Sequence, residues 1–290
     1  MHRMNGRFAP SPTGPLHRGS LVTAMASWLD VRAHGGRWIV RIEDLDRPRV
    51  TRGSADHILA TLAAYGFRWD DRVVYQSERT DLYLAAFERL RDAGLTYACG
   101  CSRREVHDAG SARGDASVIY PGTCRNGLSP GRSPRAWRVR APAGAVAFED
   151  RAFGRLTQDL ARDVGDFVVR RADGQWAYQL AVVVDDAAQG VTDVVRGADL
   201  IDSTLRQRLL QDALRYPKTR TLHVPLVLDA NGDKLSKSTG AEAVDPLDPL
   251  PGLHEAARHL DLQTGEAQTT DRFWETATQA WAARWSIESP

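Results

Sequence analysis

The sequence predicts an α/β fold with a doubly wound parallel sheet, and three observations predict it. Short strand-like apolar runs alternate with segments of helical periodicity, several of those segments stop at glycine, and the alternation is interrupted once by a Gly-, Pro- and Arg-rich stretch. Strands that alternate with helices of this length build βαβ units, whose sheet is covered on both faces.

The elements follow in order. Arg7-Phe8-Ala9 reads as a strand that enters a Pro/Gly-rich turn through Pro15. From about Gly19, the residues Leu21, Ala24, Met25, Trp28 and Leu29 recur at helical spacing and form one apolar face, which ends at Gly35-Gly36. Trp38-Ile39-Val40-Arg41-Ile42 is the next strand. Two helices follow, one marked by Ile58, Leu59, Leu62 and Tyr65 and stopped by Gly66, the other by Tyr83, Phe87 and Leu90 and stopped by Gly94. Between about Cys99 and Ala172 the pattern changes and all three cysteines occur, which predicts an insertion. Alternation resumes with an apolar run at Leu180 to Val184, a strand near Asp193 to Arg196, a helix from about Ser203 to Leu214, and a strand at Leu222 to Leu228. Asp245-Pro246-Leu247-Asp248-Pro249 reads as a linker. Leu253, Ala256, Ala257 and Leu260 then mark one helix, and Phe273, Trp274, Ala277, Trp281 and Trp285 another, whose aromatic stripe is read as core packing.

Composition sets outer limits. The chain has 290 residues, 42% hydrophobic and 26% charged, enough to bury a substantial core. Nothing approaches the roughly 18 to 20 consecutive apolar residues of a membrane span, and Met1 to Gly6 lacks a signal-like apolar region, so the expectation is a cytoplasmic enzyme. Three cysteines favour a metal site or reduced thiols over a disulfide framework. The net charge of +1 is uninformative, but eight arginines against three acids between Arg103 and Arg140 suggest a phosphate-facing surface, with a solvated face as the other reading. Only Lys218, Lys234 and Lys237 are lysines, and two of these three fall within five residues. A chain that otherwise uses arginine has kept lysine where a compact, mobile ammonium differs most from a planar fork.

Two segments carry chemistry. The first, Arg7 through Ser20, leads a strand through a Gly/Pro turn into a helix N-terminus, where unpaired N–H groups and the helix dipole attract phosphate. His17 is placed to donate to a phosphate oxygen, and Gly19 lets a planar ligand approach the backbone. The second, Asp233-Lys234-Leu235-Ser236-Lys237-Ser238, follows a strand and a turn. Mobile ammonium groups there can follow the charge that develops as pyrophosphate leaves a triphosphate.

Pro15 to Ser20 and Lys234 to Ser238 resemble the two signatures of class I aminoacyl-tRNA synthetases, HIGH and KMSKS, with Ser20 in place of the second His and Leu235 in place of Met. Arg7 to Gly14, Arg41 to Asp46, Tyr178 to Asp186 and Val194 to Leu200 look like the glutamyl-tRNA synthetase versions of their segments. The resemblance implies a Rossmann-like catalytic domain that binds ATP with Mg2+ through His17, Gly19, Lys234 and Lys237, with His17, Lys234 and Lys237 acting on the phosphates. It also implies that L-glutamate is held by Arg7, Phe8, Ala9, Pro10, Ser11, Glu43, Tyr178 and Arg196. The chemistry agrees: Arg7 and Arg196 suit the side-chain carboxylate, Glu43 the ammonium, and Tyr178 offers a hydroxyl and a flat wall.

Cys99-Gly100-Cys101 and Tyr120-Pro121-Gly122-Thr123-Cys124 place three thiols in a Gly-rich insertion, which suggests a structural zinc site, with free cysteines as the other reading. The fourth position is open to water or His107, since Tyr is not a usual zinc ligand. The same cluster closely resembles that of the glutamyl-queuosine tRNA(Asp) synthetases, short paralogues of glutamyl-tRNA synthetase, in which the Tyr completes the site. Arg47-Pro48-Arg49 and Asp202-Ser203-Thr204 match that family too. Membership implies one Zn2+ per chain at Cys99, Cys101, Tyr120 and Cys124, in an inserted zinc-containing acceptor-type subdomain. It further implies transfer of the glutamyl group to the queuosine of tRNA(Asp). The expected domains are residues 1–98 with 172–240 (catalytic), 99–171 (inserted) and 241–290, a small C-terminal helical region with no anticodon-binding domain. Two other readings share the motifs: a truncated glutamyl-tRNA synthetase that charges the tRNA 3′ end, and a catalytically silent tRNA-binding paralogue.

Overall fold

Residues 4–112, 118–228, 232 and 242–287 are described by the structure, a computed structural model. Strand β1 (Asn5–Phe8) leads through the Pro/Gly-rich loop into helix α1 (Arg18–Ala33). Gly35, at a φ of 60° that disfavours any Cβ, turns the chain into β2 (Arg37–Ile42). Helix α2 (Ser54–Ala64) and the short β3 (Val74–Tyr75) complete a βαβαβ run. Then come α3 (Thr80–Asp92), β4 (Thr96–Cys99), α4 (Arg103–Ala109), the two-residue strands β5 (Ser111–Ala112) and β6 (Val118–Ile119), and β7 (Ala136–Val139). The hairpin β8 (Ala145–Asp150) and β9 (Gly154–Asp159) is followed by α5 (Leu160–Asp163), β10 (Phe167–Arg170), α6 (Tyr178–Ala188) and β11 (Asp193–Gly197). Helix α7 (Ser203–Leu214), β12 (Arg220–Val224), α8 (Pro249–His259) and α9 (Thr270–Arg284) follow.

The elements divide into two units. The first comprises Met1–Glu78, Gly190–Ile201 and Thr219–Pro290 and holds parallel strands in the order β3-β2-β1-β11-β12. Trp38, Val40, Ile42, Val194, Val195, Leu222 and Val224 are all buried, as a parallel sheet covered on both faces demands. Strands β2 and β3 extend the sheet to one side of β1, whereas β11 and β12 extend it to the other, so the winding reverses between β1 and β11. In open α/β sheets the ligand crevice lies at such a switch point, outside the carboxyl ends of the strands. Helices α8 and α9 pack on α1, and the indole N–H of Trp281 donates to the fully buried Asp30 carboxylate at 3.0 Å. The stripe of Phe273, Trp274 and Trp281 is core, as its helical spacing indicated.

The second unit comprises Arg79–Gln189 and Asp202–Lys218. It contains the antiparallel sheet β10-β7-β4, the β8–β9 hairpin, and helices α3, α6 and α7 packed on one another. The apolar run Leu180 to Val184, too short to show a period, is the buried middle of α6. Asp185 at its end accepts from Arg79 at 2.5 Å and from the Tyr83 hydroxyl at 2.8 Å, which satisfies a carboxylate with no exposure at all. The cysteine-bearing residues 99–171 fall within this unit and α8 and α9 within the first.

Candidate active site and metal centre

The loop from β1 to α1 is pinned along its length. The Glu43 N–H donates to the Pro10 carbonyl at 3.0 Å, and the Thr51 N–H to that of Pro12 at 2.9 Å. Ser54 Oγ accepts from the Gly14 N–H at 2.9 Å and donates to the Gly14 carbonyl at 2.8 Å. His17 is the N-cap of α1: its Nδ1 accepts from the Ser20 N–H at 3.3 Å, and its Nε2 lies 3.1 Å from Ser20 Oγ. A neutral ring that accepts at Nδ1 carries its proton on Nε2, which therefore donates to the Ser20 hydroxyl. The residue that replaces the second His of the HIGH signature thus holds the first. Gly19 lies in the opening turn of α1, whose N–H groups and dipole favour an anion.

Three arginines are buried at the carboxyl ends of adjacent strands: Arg7 on β1 (4% exposed), Arg41 on β2 (0%) and Arg196 on β11 (4%). Arg7 and Arg196 stand on the two strands that flank the switch point. Glu43 Oε1 accepts from Arg41 Nη2 at 3.3 Å, so this carboxylate is held beside a buried guanidinium. Arg7 reaches the Val195 carbonyl only at 3.5 Å, and Arg196 Nε donates to His223 Nε2 at 3.0 Å. Burying guanidinium groups is costly, and three of them together concentrate positive charge at this end of the sheet. Phe8 turns its ring into the core, stacked on Trp38 with centroids 6.3 Å apart, while Ala9 and Pro10 are half-buried and Ser11 is exposed. His223 was not singled out from the sequence. Within the apolar strand Arg220–Val224 it reads as one more core residue, and only the β11–β12 register sets it beside Arg196.

In the second unit, the end of β4 and the turn after Tyr120 converge. The Sγ atoms of Cys99, Cys101 and Cys124 all lie within 4.8 Å of one another, and Cys101 and Cys124 are 3.5 Å apart. The Tyr120 hydroxyl stands 3.4 Å from Cys99 Sγ and 3.8 Å from Cys101 Sγ, and accepts the Cys124 N–H at 2.9 Å. A tetrahedral cation bound by sulfur at about 2.3 Å spaces its ligands about 3.8 Å apart, so these four side chains fit one. Burial opposes ionisation of Cys99, but hydrogen bonds from Tyr120 and Arg138 outweigh it and lower the thiol below its usual value. Burial and the neighbouring Cys124 push Cys101 up to about 11. The Arg138 guanidinium lies 3.8 Å over the Tyr120 ring. His107, the other candidate for a fourth ligand, is 77% exposed beside Asp108 and is not part of the cluster.

The sequence model described as tRNA synthetases class I (E and Q), catalytic domain, matches residues 3–247. The chain belongs to that family. A protein of Burkholderia cenocepacia named Glutamyl-Q tRNA(Asp) synthetase is 58% identical over 287 residues, covering 96% of both chains. One of the same name from Janthinobacterium sp. (strain Marseille) is 54% identical, covering 98% of both. Among solved structures, the glutamate-tRNA synthetase of Elizabethkingia anophelis superposes with a TM-score of 0.72 at 27% identity, over 82% of this chain. The chain spans about half of that synthetase, 53% of its length.

Other residues expected of a class I synthetase lie elsewhere. Tyr178, half-buried, opens α6 in the second unit. Lys234 and Lys237 lie outside the described residues. Among the described residues, no helix is long and apolar enough to cross a membrane. The arginines between 103 and 140 are mostly engaged within the protein. Arg125 holds Asp166 at 3.0 Å, Arg132 bridges Glu105, Arg138 donates to the Asp166 carbonyl at 2.8 Å, and Arg140 lies 4.9 Å over the Tyr97 ring. Arg104 pairs with Asp108 at 3.6 Å, and Arg113 is outside the described residues. The Arg103 and Arg135 side chains are exposed and have no ion pair among the described residues.

Proposed function

We propose that this chain activates L-glutamate with ATP and transfers the glutamyl group to the queuosine of tRNA(Asp). A glutamate carboxylate oxygen attacks the α-phosphorus of ATP, forming glutamyl-adenylate and expelling pyrophosphate. A cyclopentenediol hydroxyl of the modified base then attacks the acyl carbon, forming an ester and releasing AMP. Arg7 and Arg196 take the substrate's side-chain carboxylate, Glu43 its ammonium, the backbone of Phe8 to Ser11 its main-chain end, and Tyr178 a wall. His17, ordered by Ser20, and Gly19 meet the phosphates at the α1 N-terminus, with Lys234 and Lys237 following the departing charge and Mg2+ accompanying ATP. The observation that carries the reading is the pair of buried arginines on the strands flanking the switch point. The queuosine acceptor is supported by relatives of that name matched over nearly their whole length.

The test follows label. Glutamate, rather than glutamine or aspartate, should support pyrophosphate exchange without tRNA. Labelled glutamate should then attach to queuosine-bearing tRNA(Asp) and stay attached when the 3′ nucleosides are removed, while an unmodified transcript accepts almost none. Label lost on 3′ trimming, or accepted by unmodified tRNA(Glu), would mark the alternative, a synthetase that charges the 3′ end.

Cys99, Cys101, Cys124 and Tyr120 are assigned to one structural Zn2+, which when bound ties the end of β4 to the turn after Tyr120. Metal analysis of protein never exposed to chelator should give about one zinc per chain, and Cys101→Ser should release it. A metal-free wild-type protein would reduce the cluster to packed thiols.

A further inference from the structure

The bond between Arg196 and His223 has only one possible sense. A guanidinium has no lone pair to offer and does not give up its proton, so Arg196 Nε donates and His223 Nε2 accepts at 3.0 Å. The ring proton then sits on Nδ1, and the imidazole is neutral for as long as the bond exists. Strands β11 and β12 run in parallel register with Arg196 opposite His223, and the two side chains are 4% and 0% exposed, so packing holds the pair in place. The bond uses Nε and takes up neither terminal amino group of the fork, the end that grips a carboxylate in bidentate fashion.

The kind of acceptor matters as well as its position. A buried aspartate could orient Arg196 equally well, but its negative charge would compete with an incoming carboxylate for the same guanidinium. A neutral imidazole fixes the fork and contributes no negative charge. We propose that His223 is a positioning residue that presents Arg196 to the substrate's side-chain carboxylate, and that its neutral Nδ1–H form favours glutamate over the uncharged glutamine. The inference rests on the glutamate site proposed above and adds to it the group that sets the specificity arginine.

The test is steady-state pyrophosphate exchange by the full chain, with glutamate, glutamine and ATP varied separately. His223→Leu should raise the glutamate KM on the order of tenfold, the scale of a hydrogen bond to a charged group, with the ATP KM and kcat nearly unchanged. His223→Gln, whose side-chain oxygen can reach the place of Nε2, should restore most of the loss. His223→Glu should narrow the preference for glutamate over glutamine, although it supplies a strong acceptor. An unchanged glutamate KM in His223→Leu, or equal rises for glutamate and ATP, would overturn the proposal. If the Leu variant does not fold, the imidazole nitrogen NMR shifts of the wild-type protein decide: Nδ1 protonated with Nε2 bare upholds the proposal, and the reverse tautomer or an imidazolium at neutral pH overturns it. Arg196→Ala separates the two failures. If it leaves glutamate use intact, the glutamate site itself is wrong, whereas a large loss there with none in His223→Leu removes only the role of His223.

Discussion

Arginine does different work in the two units. Around the switch point of the parallel sheet, Arg7, Arg41 and Arg196 are at least 96% buried; Arg7 reaches the Val195 carbonyl and Arg196 the His223 ring. In the cysteine-bearing unit, Arg125 and Arg132 pair with carboxylates, while Arg138 and Arg140 lie over tyrosine rings. The first set holds positive charge in a dry place, where a charge acts more strongly than in water. The second uses its charge to fasten loops that carry little regular structure. Residue type is therefore a poor guide to role, and burial together with partner chemistry is a better one.

If that contrast is right, removing an arginine of the first set should cost function and spare stability, and breaking the second set should do the reverse. The largest effect is expected from Arg7→Ala, which should lower kcat/KM for glutamate on the order of a hundredfold or more, the loss of a charge-assisted contact worth about 3 kcal/mol. Its urea midpoint should hold or rise, since a buried charge is removed. A fall in stability with unchanged glutamate use would break the comparison.

Asp166 is the matching test in the second unit. Its carboxylate is 1% exposed and accepts from the Tyr97 hydroxyl at 2.6 Å, the Ala141 N–H at 2.7 Å and Arg125 at 3.0 Å. The Tyr97 pKa is raised, by burial first and by this hydrogen bond second. Asp166→Ala strands a buried hydroxyl and a buried N–H, at about 1–3 kcal/mol each. The half-exposed Arg125 adds at most about 1 kcal/mol. Urea denaturation should therefore show a loss of about 3–5 kcal/mol, with pyrophosphate exchange by the remaining folded protein little changed.

The smallest effect sharpens the contrast through pH. Hydrogen bonds from Arg132 and from the Ser102 backbone and hydroxyl hold the exposed Glu105 carboxyl down to about 2, below its unfolded value. A depressed carboxyl stabilises the fold above the unfolded pKa and loses that contribution as pH falls through the folded one. The stability gap between wild type and Glu105→Gln should therefore be constant above about pH 5 and close between about pH 4 and pH 2. A gap that persists at pH 2 would show that packing, and not charge, fastens this corner.

Helices α1 and α7 were readable within a residue or two, because apolar spacing reports a buried face directly. Leu180 to Val184 was not, since a run buried on all sides carries no period. The cysteine cluster was legible as a cluster, but residue chemistry left its fourth place to water or His107 and only the family resemblance implied Tyr120; in the fold Tyr120 stands among the thiols and His107 in solvent. His223 and the Ser20 contact to His17 left no signal, because one is a lone His in an apolar strand and the other a common serine in a first helical turn.

The sequence by itself determined the alternating α/β order, the phosphate-facing turn before α1, the grouping of three cysteines, and the family resemblance, all of which depend on residues close together or on motifs in a set order. Tertiary structure decided which charges are buried and what each one faces. It put Arg7 and Arg196 on strands that touch although 188 positions separate Arg7 from the Val195 carbonyl it meets, and it paired Arg125 with Asp166, 41 positions away. Pairings between distant segments are set by strand register and loop closure, and local periodicity carries no information about either.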